Sequence, residues 1–85
     1  MAKENKELEI KKEVTIEDKK ILSIALNGIK GWEFKPITVI TNGIEDYYFI
    51  CKVRTIIEDL QMKMAKLYIK IQNKNPILLS IEEIV

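Results

Sequence analysis

From Gly31 onward the apolar residues recur at every second position, and this period constrains the fold more than any other feature. Tyr47, Phe49, Cys51 and Val53 fall on one side of an extended run, and Tyr48, Ile50, Lys52 and Arg54 on the other. Lys66 to Gln72 alternates in the same way, with Leu67, Ile69 and Ile71 inward. Trp32 to Thr41 carries Phe34, Ile37, Val39 and Ile40. Pro36 lacks an N–H and confines that run to an edge or a bulge. Ile77, Leu79 and Ile81 mark a last strand. Asn42-Gly43 is the strongest hairpin signal in the chain, and Asn73-Lys74-Asn75-Pro76 reads as a second turn. Glu58-Asp59 interrupts the pattern; the spacing of Met62, Met64 and Ala65 also fits a helix, but the alternation that follows favours one long strand.

Before Gly31 the period is helical. Thr15 offers an N-cap, and Glu17 and Asp18 place carboxylates in the first turn, where the helix dipole favours them. Ile21, Leu22, Ile24, Ala25, Leu26 and Ile29 share one broad arc, and Lys19, Lys20, Ser23, Asn27 and Lys30 fill the other. Asn27-Gly28 and Gly31 are stop signals, which predicts a helix over about 16–29. Residues 1–13 are a charged tail, either without structure or carrying a short strand through Leu8, Ile10 and Val14; residues 14–85 form one domain. Strands joined by short links imply an antiparallel meander. The expected architecture is α+β, order (β)αββββ: one amphipathic helix packed on a four- to five-stranded antiparallel sheet whose apolar face it covers.

Composition narrows the chemistry. The 85 residues contain no histidine, so the usual neutral-pH base and the commonest metal ligand are missing. The single cysteine, Cys51, permits no internal disulfide and no thiolate zinc site. No glycine-rich phosphate loop is present. The reading is therefore no enzyme, no cofactor and no metal. The net charge of +1 names no partner. The opening Met-Ala-Lys-Glu-Asn-Lys is charged and leads into no apolar signal core, and Ile77-Leu78-Leu79 is too short to span a bilayer. A cytoplasmic protein with no membrane partner is expected.

Two stretches carry a family resemblance. Asn42 to Val53, reading NGIEDYYFICKV, is similar to the passage where cystatins run from their first hairpin into an aromatic-rich strand. Leu67-Tyr68-Ile69-Lys70-Ile71, the Asn-Lys-Asn-Pro turn and Ile77-Leu78-Leu79 fall where the last cystatin hairpin stands. The likeness covers about residues 7–85, and the short, disulfide-free chain resembles the intracellular stefins. It implies a helix wrapped by four strands and a wedge of loops that occludes a protease cleft. The inhibitory motifs are degenerate. Val39-Ile40-Thr41-Asn42-Gly43 keeps only the glycine of Q-x-V-x-G, the second loop has no tryptophan, and no glycine precedes Gly28.

Two surfaces are candidates for binding. The hairpin tips Asn42, Gly43, Ile44 and Asn73, Lys74, Asn75 would meet a protein partner, as an inhibitor's tips do. Alternatively Lys52, Arg54, Lys66, Tyr68 and Lys70, with Tyr48, form a basic face bearing tyrosines that suits nucleic acid: cations pair with phosphates and rings stack on bases. No acid lies at the alternate positions between these residues, and Glu45, Asp46, Glu58 and Asp59 sit at the strand ends. The same face carries Ile50 and Ile56, and either an exposed apolar face or an edge strand would support homo-oligomers. The acid pairs Glu45-Asp46, Glu58-Asp59 and Glu82-Glu83 read as solvated loops, because adjacent strand residues point to opposite faces and chelate poorly. Trp32 reads as packing on the helix end, and Cys51 as a small buried hydrophobe. The register of the first hairpin stays open. A two-residue turn at Asn42-Gly43 pairs Thr38 with Tyr47 and puts Val39 outside; a longer loop or a bulge reverses this.

Overall fold

The computed structural model describes residues 7–55 and 63–84. Glu58-Asp59, Ile56 and Met62 lie outside the described residues. The elements are β1 (Glu9–Lys11), α1 (Ile16–Ala25), β2 (Trp32–Thr41), β3 (Asp46–Thr55), β4 (Lys63–Gln72) and β5 (Asn75–Ile84). The strands form one antiparallel sheet in chain order, β1-β2-β3-β4-β5.

The α+β expectation of a helix packed on and covering a four- to five-stranded sheet is corrected. The fold is a five-stranded antiparallel sheet with one short helix. The helix ends at Ala25 rather than near 29, because Leu26 caps it and Gly28 turns the backbone to φ +98°. Ten helical residues span about 15 Å, against about 33 Å for a ten-residue strand. Such a helix is too short to cover the sheet. Leu22 is its one buried residue in the apolar core, with Ile21 and Ala25 partly buried against it, while Ile16 is 80% and Ile24 50% exposed. At its start the sequence expectation holds. The Thr15 hydroxyl accepts from the Asp18 N–H (3.1 Å), and the Asp18 carboxylate accepts from the Thr15 N–H (3.0 Å).

The core lies on one face of the sheet. Val39, Phe49, Cys51, Val53, Ala65, Leu67 and Ile69 are buried there. The register explains the set: Phe49 pairs with Val39 and Leu67, and Cys51 with Pro36 and Ala65. Facing residues on antiparallel strands share a side.

The first hairpin is not closed by a two-residue turn. Thr41 pairs with Tyr47, leaving Asn42 to Glu45 as the loop. This register buries Val39, which the two-residue turn would expose. A bulge between Pro36 and Thr38 then shifts the pairing by one, keeps Phe34 opposite Val53 on the core side and leaves Ile37 exposed. The two-residue turn falls instead at Asn73-Lys74, where both residues take positive φ (53° and 68°) as a type I′ turn requires. A second bulge interrupts β5. Ser80 pairs with Tyr68 and Leu78 with Ile69, so Leu79 has no opposite residue. Ile77 and Ile81, which simple alternation puts on one face, therefore lie on opposite faces.

Candidate functional site

The register gathers both predicted tips at one end of the sheet. Asp46 pairs with Lys70, and Gln72 with Asn75, so Asn42–Glu45 and Asn73-Lys74 lie at the same end. Glu9 pairs with Thr41, which brings the start of β1 to that end as well. A backbone bond from Ile71 N–H to the Glu45 carbonyl (2.8 Å) ties the first tip to β4.

The first tip is organised by its own side chains. Asn42 Oδ1 accepts from the N–H groups of Ile44 (2.9 Å), Glu45 (3.1 Å) and Asp46 (3.2 Å). Asn42 Nδ2 donates to Asp46 Oδ2 (3.2 Å). The buried Thr41 hydroxyl donates to the Asp46 carbonyl (2.7 Å) and accepts from Gly43 N–H (2.9 Å). Gly43 sits at φ +75°, where a side chain is disfavoured. With its N–H groups so occupied, the loop presents Ile44, half-exposed. Beside it, Glu7, Glu9, Lys11 and Tyr47 join Thr41, Asn42 and Gly43 around a groove of about 320 Å³. The sequence reading missed Glu7, Glu9 and Lys11 because only the β1–β2 pairing brings them to the tip, and it placed Tyr47, which pairs with Thr41, on the inward face instead. The second tip is exposed throughout: Asn73, Lys74 and Asn75 all face solvent.

The wall of this groove is braced from the helix. Lys11 Nζ lies 2.7 Å from Asp18 Oδ2, and Asp18 is buried. Burial alone would push the Asp18 carboxyl up; bonds from Lys11 and Thr15 outweigh it and hold the group below its ordinary value.

The opposite sheet face carries the five residues proposed for nucleic acid, and the structure supplies them with acids from neighbouring strands. Arg54 Nε pairs with Glu33 Oε1 (2.8 Å), Lys66 with Glu82 (3.6 Å), and Lys70 with Glu45 and Asp46 (3.5 Å each). Lys70 is held above its ordinary range by Asp46 first and Glu45 second. Tyr48 and Tyr68 stack on each other, centroids 4.6 Å apart and planes 8° from parallel, and Lys66 Nζ sits 5.8 Å from the Tyr48 centroid. The Tyr68 hydroxyl donates to Asp46 Oδ1 (2.7 Å), which raises its pKa. Lys52, opposite Lys35, has no ion pair among the described residues. The tyrosine faces are thus turned to each other and most cations are paired. Sequence reasoning missed Glu33 and Glu82 because they are distant in the chain and adjacent only across the ladder.

Cys51 is fully buried, and burial pushes its thiol up to about 12, so it is no nucleophile at neutral pH. Trp32 stands beside the residues that follow the helix but is not buried there; it is 47% exposed and, with Ile29, Phe34 and Ile81, lines a second groove of about 300 Å³ at the far end of the sheet. Among the described residues no three acidic or cysteine side chains gather as a metal site, and no helix is long and apolar enough to cross a membrane. No protein-family model, no curated protein and no solved structure matches the chain.

Proposed function

We propose that this is a small, non-catalytic cytoplasmic protein-binding module that occludes a protein target with the tip end of its sheet. The observation that carries the reading is the convergence of Asn42–Glu45, Asn73-Lys74 and the start of β1 at one end, with the first tip held by the Asn42 side chain. A loop already ordered loses little entropy on docking, and the exposed Ile44 supplies an apolar contact. The cystatin resemblance implies the same mode of action, with a target other than one recognised through Q-x-V-x-G. The ion pairing of the opposite face argues against phosphate binding there, since cations already matched to carboxylates release fewer counterions.

The test is capture from native lysate with and without nuclease, using the wild-type chain and a variant with Asn42-Gly43-Ile44 and Asn73-Lys74-Asn75 replaced by Gly-Ser. The expected result is a stoichiometric protein that survives nuclease and is lost with the tip variant. Binding that vanishes with nuclease, falls steeply with salt and depends on Lys52, Arg54, Lys66, Tyr68 and Lys70 would transfer the function to the sheet face.

A further inference from the structure

We propose that β5 is a self-pairing edge, along which two copies of this chain join antiparallel into one continuous sheet. β5 is the last strand of the sheet, and β4 satisfies only one of its sides. The opposite edge is guarded: β1 pairs with Val39 to Thr41, and Pro36 and a bulge interrupt the rest of β2. β5 has little such protection. It runs ten residues, contains no lysine or arginine, and has its one proline at the second position. Ile77, Leu79, Ile81 and Ile84 are each 39–47% exposed. A long, largely apolar edge whose only charges are Glu82 and Glu83 near its end is a template for another strand.

The occupant follows from register and charge. Pairing β5 with itself along its full length sets Asn75 opposite Ile84, Pro76 opposite Glu83, Ile77 opposite Glu82 and Leu78 opposite Ile81 of the second copy. In a regular strand these partners would face opposite sides of the sheet, because they are separated by odd numbers of residues. The bulge at Leu79 removes the conflict. Leu78 and Ile81 both face the core side, and Ile77 and Glu82 both face the other. Charge selects the antiparallel sense. Lys74 immediately precedes the strand and has no ion pair among the described residues, while Glu82 and Glu83, held at 3.6 and 3.4 Å by the partly exposed Lys66 and Lys63 of the same molecule and still open to solvent, stand near its end. Antiparallel pairing carries each Lys74 toward the carboxylates of the second copy; parallel pairing sets like beside like. One strand pair lies at the small end of specific interfaces, below about 1,200 Å² in total, so the association is weak and reversible.

Sedimentation equilibrium of the full chain from micromolar to millimolar concentration tests this. The expected result is a monomer–dimer equilibrium in which Ile81→Lys weakens association about tenfold or more while the far-ultraviolet spectrum is unchanged. Cross-linking tests the register in a Cys51→Ser background. The double variant Ile77→Cys/Glu82→Cys should oxidise to a covalent dimer, and either cysteine alone should not. A chain that stays monomeric to millimolar concentration overturns the proposal. So does a dimer indifferent to Ile81→Lys, cross-linking no faster in the double variant than in the singles, or growth beyond two copies, which would mean β5 meeting the β2 edge of the next molecule.

Discussion

The two faces of the sheet are held by different forces. On the core face Val39, Phe49, Cys51, Leu67 and Ile69 are fully buried. On the other, Arg54–Glu33, Lys66–Glu82 and Lys70–Glu45 pair while remaining partly exposed, around the stacked Tyr48 and Tyr68. Burial of apolar surface contributes about 25 cal/mol per Å² and is not weakened by charge screening, whereas an exposed ion pair contributes about 0–1 kcal/mol and is screened. The core face therefore supplies most of the stability. The paired face supplies a surface whose charge is locally neutralised. A single-stranded alternation of lysine and tyrosine looks basic along the chain and is balanced across it.

Truncating the core face should have the largest effect. Phe49→Ala is expected to cost about 3–5 kcal/mol, a large part of the roughly 0.05–0.15 kcal/mol per residue that domains hold. Urea denaturation should show the midpoint collapse or the cooperative transition disappear. A loss comparable with that of surface variants would break the comparison.

The helix side offers one polar exception to its apolar packing. Asp18→Ala removes a capping-box partner and the acceptor of Lys11, and should cost about 1–2 kcal/mol. The native carboxyl is held below its ordinary value of 3.8, so the unfolded chain binds the proton more readily. Its stabilisation is complete above the ordinary value and is lost as pH falls through the lower native one. Thermal melts between pH 6 and pH 2, as rough bounds around the carboxylate range, should therefore show a shallower acid limb for the variant than for the wild type.

At the tip end, Asn42→Ala deletes an acceptor shared by three N–H groups and should cost about 1 kcal/mol. Faster amide exchange at Ile44, Glu45 and Asp46, with exchange at Phe49 little changed, would show that the loop is ordered by this one side chain. The smallest effect belongs to the paired face. Arg54→Ala should lose about 0.2–0.5 kcal/mol at low salt and less at high salt. A cost above that of Asn42→Ala would show the ion pairs to be structural rather than surface balance.

Several features could be read from residues close together in the chain. The Thr15 N-cap and the first-turn Asp18, the strand periods around Phe49 and Leu67, the burial of Cys51, and the placement of Pro36 beside a bulge are local effects of sterics and side-chain reach. The Asn42-Gly43 hairpin shows where local preference stops. Its dipeptide favours a two-residue turn, yet that turn would have exposed Val39. Burying one valine and aligning two strands outweigh a turn preference, so the loop lengthened and Asn42 became its organiser. The helix length was misread for a related reason: Ile29 continues the apolar arc, but Gly28 had already turned the chain.

Local patterning was enough to place the strands described after Gly31 and the side chains that alternate within each, and composition leaves one thiol and no imidazole to work with. The tertiary structure alone decided which strand ends meet, and with them the meeting of the two tips with β1, the matching of Arg54 to Glu33 and Lys66 to Glu82, and the bulge that gives β5 its self-matching faces. Periodicity is set residue by residue through steric and hydrophobic preference. Register is a property of pairs of strands, chosen by what the whole sheet must bury, and is invisible until those strands are laid side by side.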